Sequence, residues 1–229
     1  MISTEAQQLT LDFPHRPALG VEDFFVSKTN QAAVELIDQW PTWPALSVYL
    51  EGPAASGKTH LAHVWQRASS AAMLRADCLS RAQIALLTEG QALIIEDIDK
   101  GIMDEHALFH LINLSKEQGF HILLTGTTSP GQISIDLPDL RSRVRALPVV
   151  RIEAPDDTLL RPVLIKQFQD RQLEVSPALI EYILPRMERS FSGVQRFVER
   201  LDQLALSSGR RITRQFAGDV LTSFQNLSD

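Results

Sequence analysis

Leu46-Ser47-Val48-Tyr49-Leu50, followed after Glu51 by Gly52-Pro53-Ala54-Ala55-Ser56-Gly57-Lys58-Thr59, is the stretch from which the fold is read. The first five residues predict a buried strand. The eight from Gly52 fit G-x-x-x-x-G-K-[ST], and Thr59-His60-Leu61-Ala62-His63-Val64-Trp65 continues as a helix. Strand, glycine-bearing loop and helix in that order form a phosphate cradle, because glycine lets backbone N–H groups turn inward without a Cβ in the way. Gly52 and Gly57 supply that freedom, with Pro53, Ala55 and Ser56 between them. Lys58 is expected to reach the β/γ-phosphates and Thr59 to offer its hydroxyl to Mg²⁺, while the helix end carrying His60 adds its positive dipole. The expected ligand is a nucleoside di- or triphosphate.

Forty residues on, Leu93-Ile94-Ile95-Glu96-Asp97 ends a buried strand in two carboxylates. In a protein with a phosphate loop that is where Mg²⁺ is held, here by Glu96, and where the attacking water is oriented, here by Asp97. Leu140-Arg141-Ser142-Arg143 resembles a segment that presents an arginine to a nucleotide held by a neighbouring molecule. The pairs His60/His63 and His106/His110 each share a helical face, but neither has the H-E-x-x-H arrangement of a zinc site.

Outward from the loop, strands and helices alternate. Phe24-Phe25-Val26 and Asn30 enter a helix over Ala32 to Trp40. Strands are expected at Ala72–Arg75, Ala92–Ile95, Ile122–Thr125 and Pro148–Ile152, with helices near Arg81–Thr88 and Asp104–Gln118. Near-continuous apolar strands separated by helices predict a parallel sheet covered on both faces, an α/β three-layer domain. Past Pro155 the period is helical throughout, over about Asp156–Arg171, Pro177–Glu188, Ser192–Ser207 and Arg214–Asn226, so a small all-helical lid is expected. The expected division is a tail over 1–20, an α/β nucleotide-binding domain over 21–154 and the lid over 155–229.

Charge supports two modules. The 229 residues carry a net charge of −6. Residues 1–154 hold 12 Lys/Arg against 18 Asp/Glu, and residues 155–229 hold 10 of each. An acidic chain of this kind excludes coating nucleic acid by bulk charge. Cys78 is the single cysteine, so no internal disulfide forms. With neither a signal-like segment nor a membrane-length apolar run, a cytoplasmic protein is expected. The tail contains Gln8-Leu9-Thr10-Leu11-Asp12-Phe13, in which Gln8, Leu9, Leu11 and Phe13 look like the short motif by which bacterial replication proteins hold the sliding clamp. A strand folding back on the domain is the alternative.

The run from Val21 to Asn226 resembles the AAA+ module of the DnaA family of bacterial replication initiators, and specifically that family's short Hda-type branch. The resemblance is carried by Phe24-Phe25-Val26 with Asn30, Gly52 to Leu61, Glu96-Asp97, Leu124-Thr125-Gly126, Leu140 to Arg143, and Ser192-Gly193-Val194-Gln195. It implies bound ADP or ATP with Mg²⁺, Val26 lining the adenine pocket and Gln195 contacting nucleotide from the lid. It further implies Arg143 acting in trans on nucleotide held by DnaA, with DnaA and the DNA polymerase III sliding clamp as partners and DNA reached through the clamp. A homo-oligomer is left open. Ending at Asp229, the chain is expected to lack the initiator's DNA-reading domain. Three departures bear on catalysis: Glu96 stands for the first of two aspartates, Thr127 for a sensor carboxylate, and Gln195 for a lid arginine. Weak intrinsic ATPase activity is the expectation. The rival readings are an autonomous AAA+ ATPase such as a helicase loader, and a DNA-tethering module using the lid arginines.

Overall fold

The structure, a computed structural model, describes residues 25–84, 92–208 and 210–225. Five strands among these, β1 (Ser47–Glu51), β2 (Ala72–Arg75), β3 (Leu93–Glu96), β4 (Ile122–Gly126) and β5 (Val149–Arg151), form one sheet in the order β2-β3-β4-β1-β5, and every pairing is parallel. Parallel neighbours need crossover helices, and these cover both faces.

Alternation along each strand assigns residues to the two faces. Val48 and Leu50 of β1, Ile94 of β3 and Leu123 of β4 pack with α1 (Gln31–Asp38) and α2 (Lys58–Ser69). Tyr49, Leu93, Ile95, Ile122 and Leu124 pack on the other side with α4 (Glu105–Gln118) and α5 (Pro138–Arg145); the short α3 (Arg81–Ile84) precedes β3. Because a strand's side chains have a period of two, both faces of a covered sheet must be apolar, which explains the unbroken hydrophobic runs.

The lid packs its own core from α6 (Asp157–Asp170), α7 (Pro177–Ile183), α8 (Phe191–Ser208) and α9 (Arg214–Gln225) around Leu164, Phe168, Ile183, Val194, Val198, Leu201 and Ala217. Its helices start on side-chain caps: Asp156 accepts from the Leu159 N–H and Ser176 from the Leu179 N–H. Each cap satisfies a donor that the first helical turn leaves open.

The structure departs from the sequence reading in two helices. Residues 138–145, expected only as a segment before the last strand, form α5, with Pro138 at its first turn where a missing N–H costs nothing. The helix expected over Pro177–Glu188 gives way after Ile183 to a 3-10 turn at Leu184–Arg186, because Pro185 cannot donate to the preceding turn. The helix expected to Thr88 is described only to Ile84, and Phe24, the tail and the Gln8–Phe13 motif lie outside the described residues. Among the described residues no helix is long and apolar enough to cross a membrane.

Candidate functional site

The loop after β1 has the backbone a phosphate cradle requires. Gly57 sits at φ 100° and Ala55 at φ 55°, left-handed conformations that turn successive N–H groups to one side. Gly52 packs so closely that a Cβ would lie 2.7 Å from Ser56 Oγ and 2.9 Å from the Ile152 carbonyl oxygen. Ser56 is buried, and its hydroxyl has no hydrogen-bond partner among the described residues. At the start of α2, Gly57 offers no capping side chain and the first turn carries no acid. A buried orphan hydroxyl beside an uncapped helix start fits a phosphate group.

Lys58 is folded back on this loop. It is 7% exposed, and its Nζ donates to the Gly52 carbonyl at 2.7 Å and the Pro53 carbonyl at 2.8 Å. Burial lowers the ammonium's pKa, against the pull of the Asp97 and Asp99 carboxylates. The lysine is thus held at the loop by carbonyls that an anion could replace as partners.

In front of the loop lies a cavity of about 410 Å³, lined by Phe25, Ala55, Gly57, Lys58, Thr59 and His60 from the sheet domain, and by Leu159, Val163, Gln167, Phe191, Ser192 and Gln195 from the lid. A volume of this order takes a nucleotide-sized ligand. One end is cationic and the other apolar. Asn30 builds the apolar wall: it is buried, accepts from the Ser27 N–H at 2.8 Å, and donates to the Phe25 carbonyl at 2.9 Å. Phe25 is thereby held at the cavity. Val26, expected at the adenine, is not among these lining residues and packs with the apolar cluster on the α1/α2 side of the sheet.

At the end of β3, Glu96 and Asp97 are half-buried. Asp97 takes a left-handed backbone at φ 59°, its N–H donates to Thr125 Oγ1 at 3.2 Å, and its carboxylate pairs with Lys100 at 2.8 Å. No group of three or more His, Cys, Asp or Glu side chains gathers to hold a metal among the described residues. Asp99, absent from the sequence reading, accepts from the N–H groups of Thr127 and Thr128 and from the Thr127 hydroxyl. Its signal was weak because a carboxylate two positions past an acidic pair looks like ordinary loop charge.

On the lid, Gln195 lines the cavity while Arg196 is turned away into an ion pair with Glu188. Arg143 does not line the cavity. It stands on α5 with its guanidinium over the Phe109 ring, 5.0 Å from the centroid, while Arg141 donates to the Ile135 and Asp136 carbonyls.

A phosphate loop after β1 of a five-stranded parallel sheet, with a helical lid closing the cavity, is the arrangement of an AAA+ fold. Residues 157–221 match the family model described as Hda, lid domain. Domain III of the replication initiation protein DnaA from Thermotoga maritima superposes with a TM-score of 0.71 over 92% of this chain and 98% of that one, at 19% identity. AMPPCP-bound DnaA from Aquifex aeolicus gives 0.66 over 83% and 67%, also at 19% identity. A Haemophilus influenzae relative, described as an uncharacterized protein, is 24% identical over 185 residues, covering 76% of this chain and 80% of its own. At these identities the structural likeness is one of fold. Together, the two likenesses give the chain a lid that resembles the Hda lid domain and a sheet domain with the fold of DnaA domain III.

Proposed function

We propose that the chain is a nucleotide-binding regulator of replication initiation, which takes ADP or ATP with Mg²⁺ in the cavity and promotes hydrolysis of ATP held by DnaA. Ala55, Ser56, Gly57, Lys58, Thr59 and His60 hold the phosphates, with Gly52 and Pro53 shaping the loop. Thr59 and Glu96 hold Mg²⁺, which when bound neutralises phosphate charge, and Asp97 orients water. The base lies against Phe25 and the lid, with Gln195 near the phosphates. AMPPCP in an initiator of the same fold supports the nucleotide reading. Gln8, Leu9, Leu11 and Phe13 tether the protein to the sliding clamp, and through it to DNA.

The observation that carries the regulatory reading is the division of arginines. Arg143 lies away from the chain's own cavity, Arg196 is tied to Glu188, and the lid offers the neutral Gln195 in their place. A site short of cations hydrolyses its own nucleotide slowly. An arginine outside it, on a helix packed against α4, is available to a neighbour's transition state. The test is the rate of ATP hydrolysis by DnaA with clamp loaded on DNA. Adding this protein should raise the rate, and Gln8→Ala or Arg143→Ala should abolish the rise. Rapid hydrolysis by this chain alone with no effect on DnaA would instead identify an autonomous ATPase.

A further inference from the structure

The tip of β4 is held by a residue that no motif singles out. Asp99 stands in a 3-10 turn at Ile98–Lys100, just after β3. Its Oδ2 accepts from Thr127 N at 2.8 Å, from Thr128 N at 3.2 Å, and from the Thr127 hydroxyl. The tip adjoins the phosphate loop directly, because Gly52 N donates to the Gly126 carbonyl at 3.1 Å and Lys58 Nζ to the Gly52 carbonyl at 2.7 Å. A continuous line of contacts therefore runs from the loop lysine through Gly52, Gly126 and Thr127 to Asp99. The other carboxylate oxygen, Oδ1, is buried with no hydrogen-bond partner among the described residues. It lies beside Gly126 and the Tyr49 hydroxyl: a Cβ at position 126 would be 2.8 Å from the one and 2.0 Å from the other.

We propose that Asp99 is a specificity-determining residue of the nucleotide site: a carboxylate fixed behind the phosphate loop, with the donors of Thr127 and Thr128 turned onto it, that opposes each further phosphate charge the site takes. The inference rests on the nucleotide reading above. Three donors on one oxygen favour the ionised form against the opposing effect of burial, so the carboxyl's pKa lies below its ordinary value. Fixed there, the charge offsets part of the Lys58 ammonium, on which it acts together with Asp97. The hydroxyl and N–H groups it occupies are donors withheld from an anion. Both effects grow with ligand charge, so a triphosphate is penalised more than a diphosphate.

The test measures the affinities of the full chain for ADP and for the non-hydrolysable triphosphate AMPPCP by calorimetry. Asp99→Asn keeps an acceptor oxygen for the β4 tip and removes the charge. The AMPPCP-to-ADP affinity ratio should rise about fivefold, an effect of one partly screened charge. Thr127→Val keeps the charge and removes one donor, so the melting temperature should fall while the ratio stays within about twofold of wild type. Asp99→Ser serves as a second neutral variant with the same expectation as Asp99→Asn. A ratio unmoved by the neutral variants overturns the proposal, as does a Thr127→Val shift as large as theirs. Wild-type protein that binds neither nucleotide would sink the nucleotide reading and this inference together. Normal wild-type binding with an unmoved ratio sinks this inference alone.

Discussion

Lys58 is the residue on which the site's electrostatics turn. It is buried, bonded to two loop carbonyls, and faces the cavity beside Thr59 and His60. Losing a buried charge that meets a ligand anion costs several kcal/mol, because the other partner is left unpaired. Lys58→Ala should therefore weaken ADP binding about a hundredfold or more, measured by displacement of a fluorescent nucleotide, with the fold retained by circular dichroism. Unchanged affinity would remove the phosphate role from this loop. At the same scale the sequence pattern was informative about Gly52 and Gly57, whose positions demand glycine chemistry locally. It gave no local reason for glycine at Gly126, where the demand comes from the Tyr49 hydroxyl of a neighbouring strand.

Among the elements, α6 couples the lid's core to the cavity. Leu159 and Val163 line the cavity, while Leu160, Leu164 and Phe168 are buried in the lid core. The helix begins where the Asp156 carboxylate accepts from the Leu159 N–H at 2.9 Å. Asp156→Ala removes that cap and should lower stability to urea by about 1 kcal/mol, with nucleotide affinity also falling as the first turn frays. Element placement was largely legible in the chain, since apolar period and turn residues are local signals. α5 was missed because residues 138–145 are mostly polar and charged, with only Leu140 and Val144 buried. Two apolar positions four apart are too few to show a period, and what holds the helix is its packing on α4, together with Glu105, whose carboxylate accepts from the Asp136 and Leu137 N–H groups.

For the whole molecule, the tryptophan cluster on the α1/α2 side of the sheet sets one acid limit to stability. Trp43 stacks on Trp65 with ring centroids 4.7 Å apart, and His121 stands edge-on to Trp40 and Trp43. Burial lowers the imidazole's pKa below its ordinary 6.5, so the unfolded chain binds the proton more readily than the folded one. Its contribution is fully present above that ordinary value and is lost as pH falls through the folded-state value. The urea midpoint should drop as pH is lowered below about 6.5, and His121→Phe should flatten that dependence. An unchanged slope in the variant would place the proton uptake elsewhere.

The amino-acid order by itself determined the phosphate loop between a buried strand and a helix, the α/β alternation, the helical character of the last third, and the two carboxylates ending β3. Each is written in spacings of a few residues, so it survives without knowledge of the partners. Tertiary structure alone decided that β1 lies between β4 and β5, that Phe25 lines the cavity, that Arg196 is paired with Glu188, and that Asp99 reaches Thr127 across 28 residues. Those are pairings between side chains distant in sequence, fixed by how whole layers pack, and no local pattern of polarity encodes which of two neighbouring residues meets which partner.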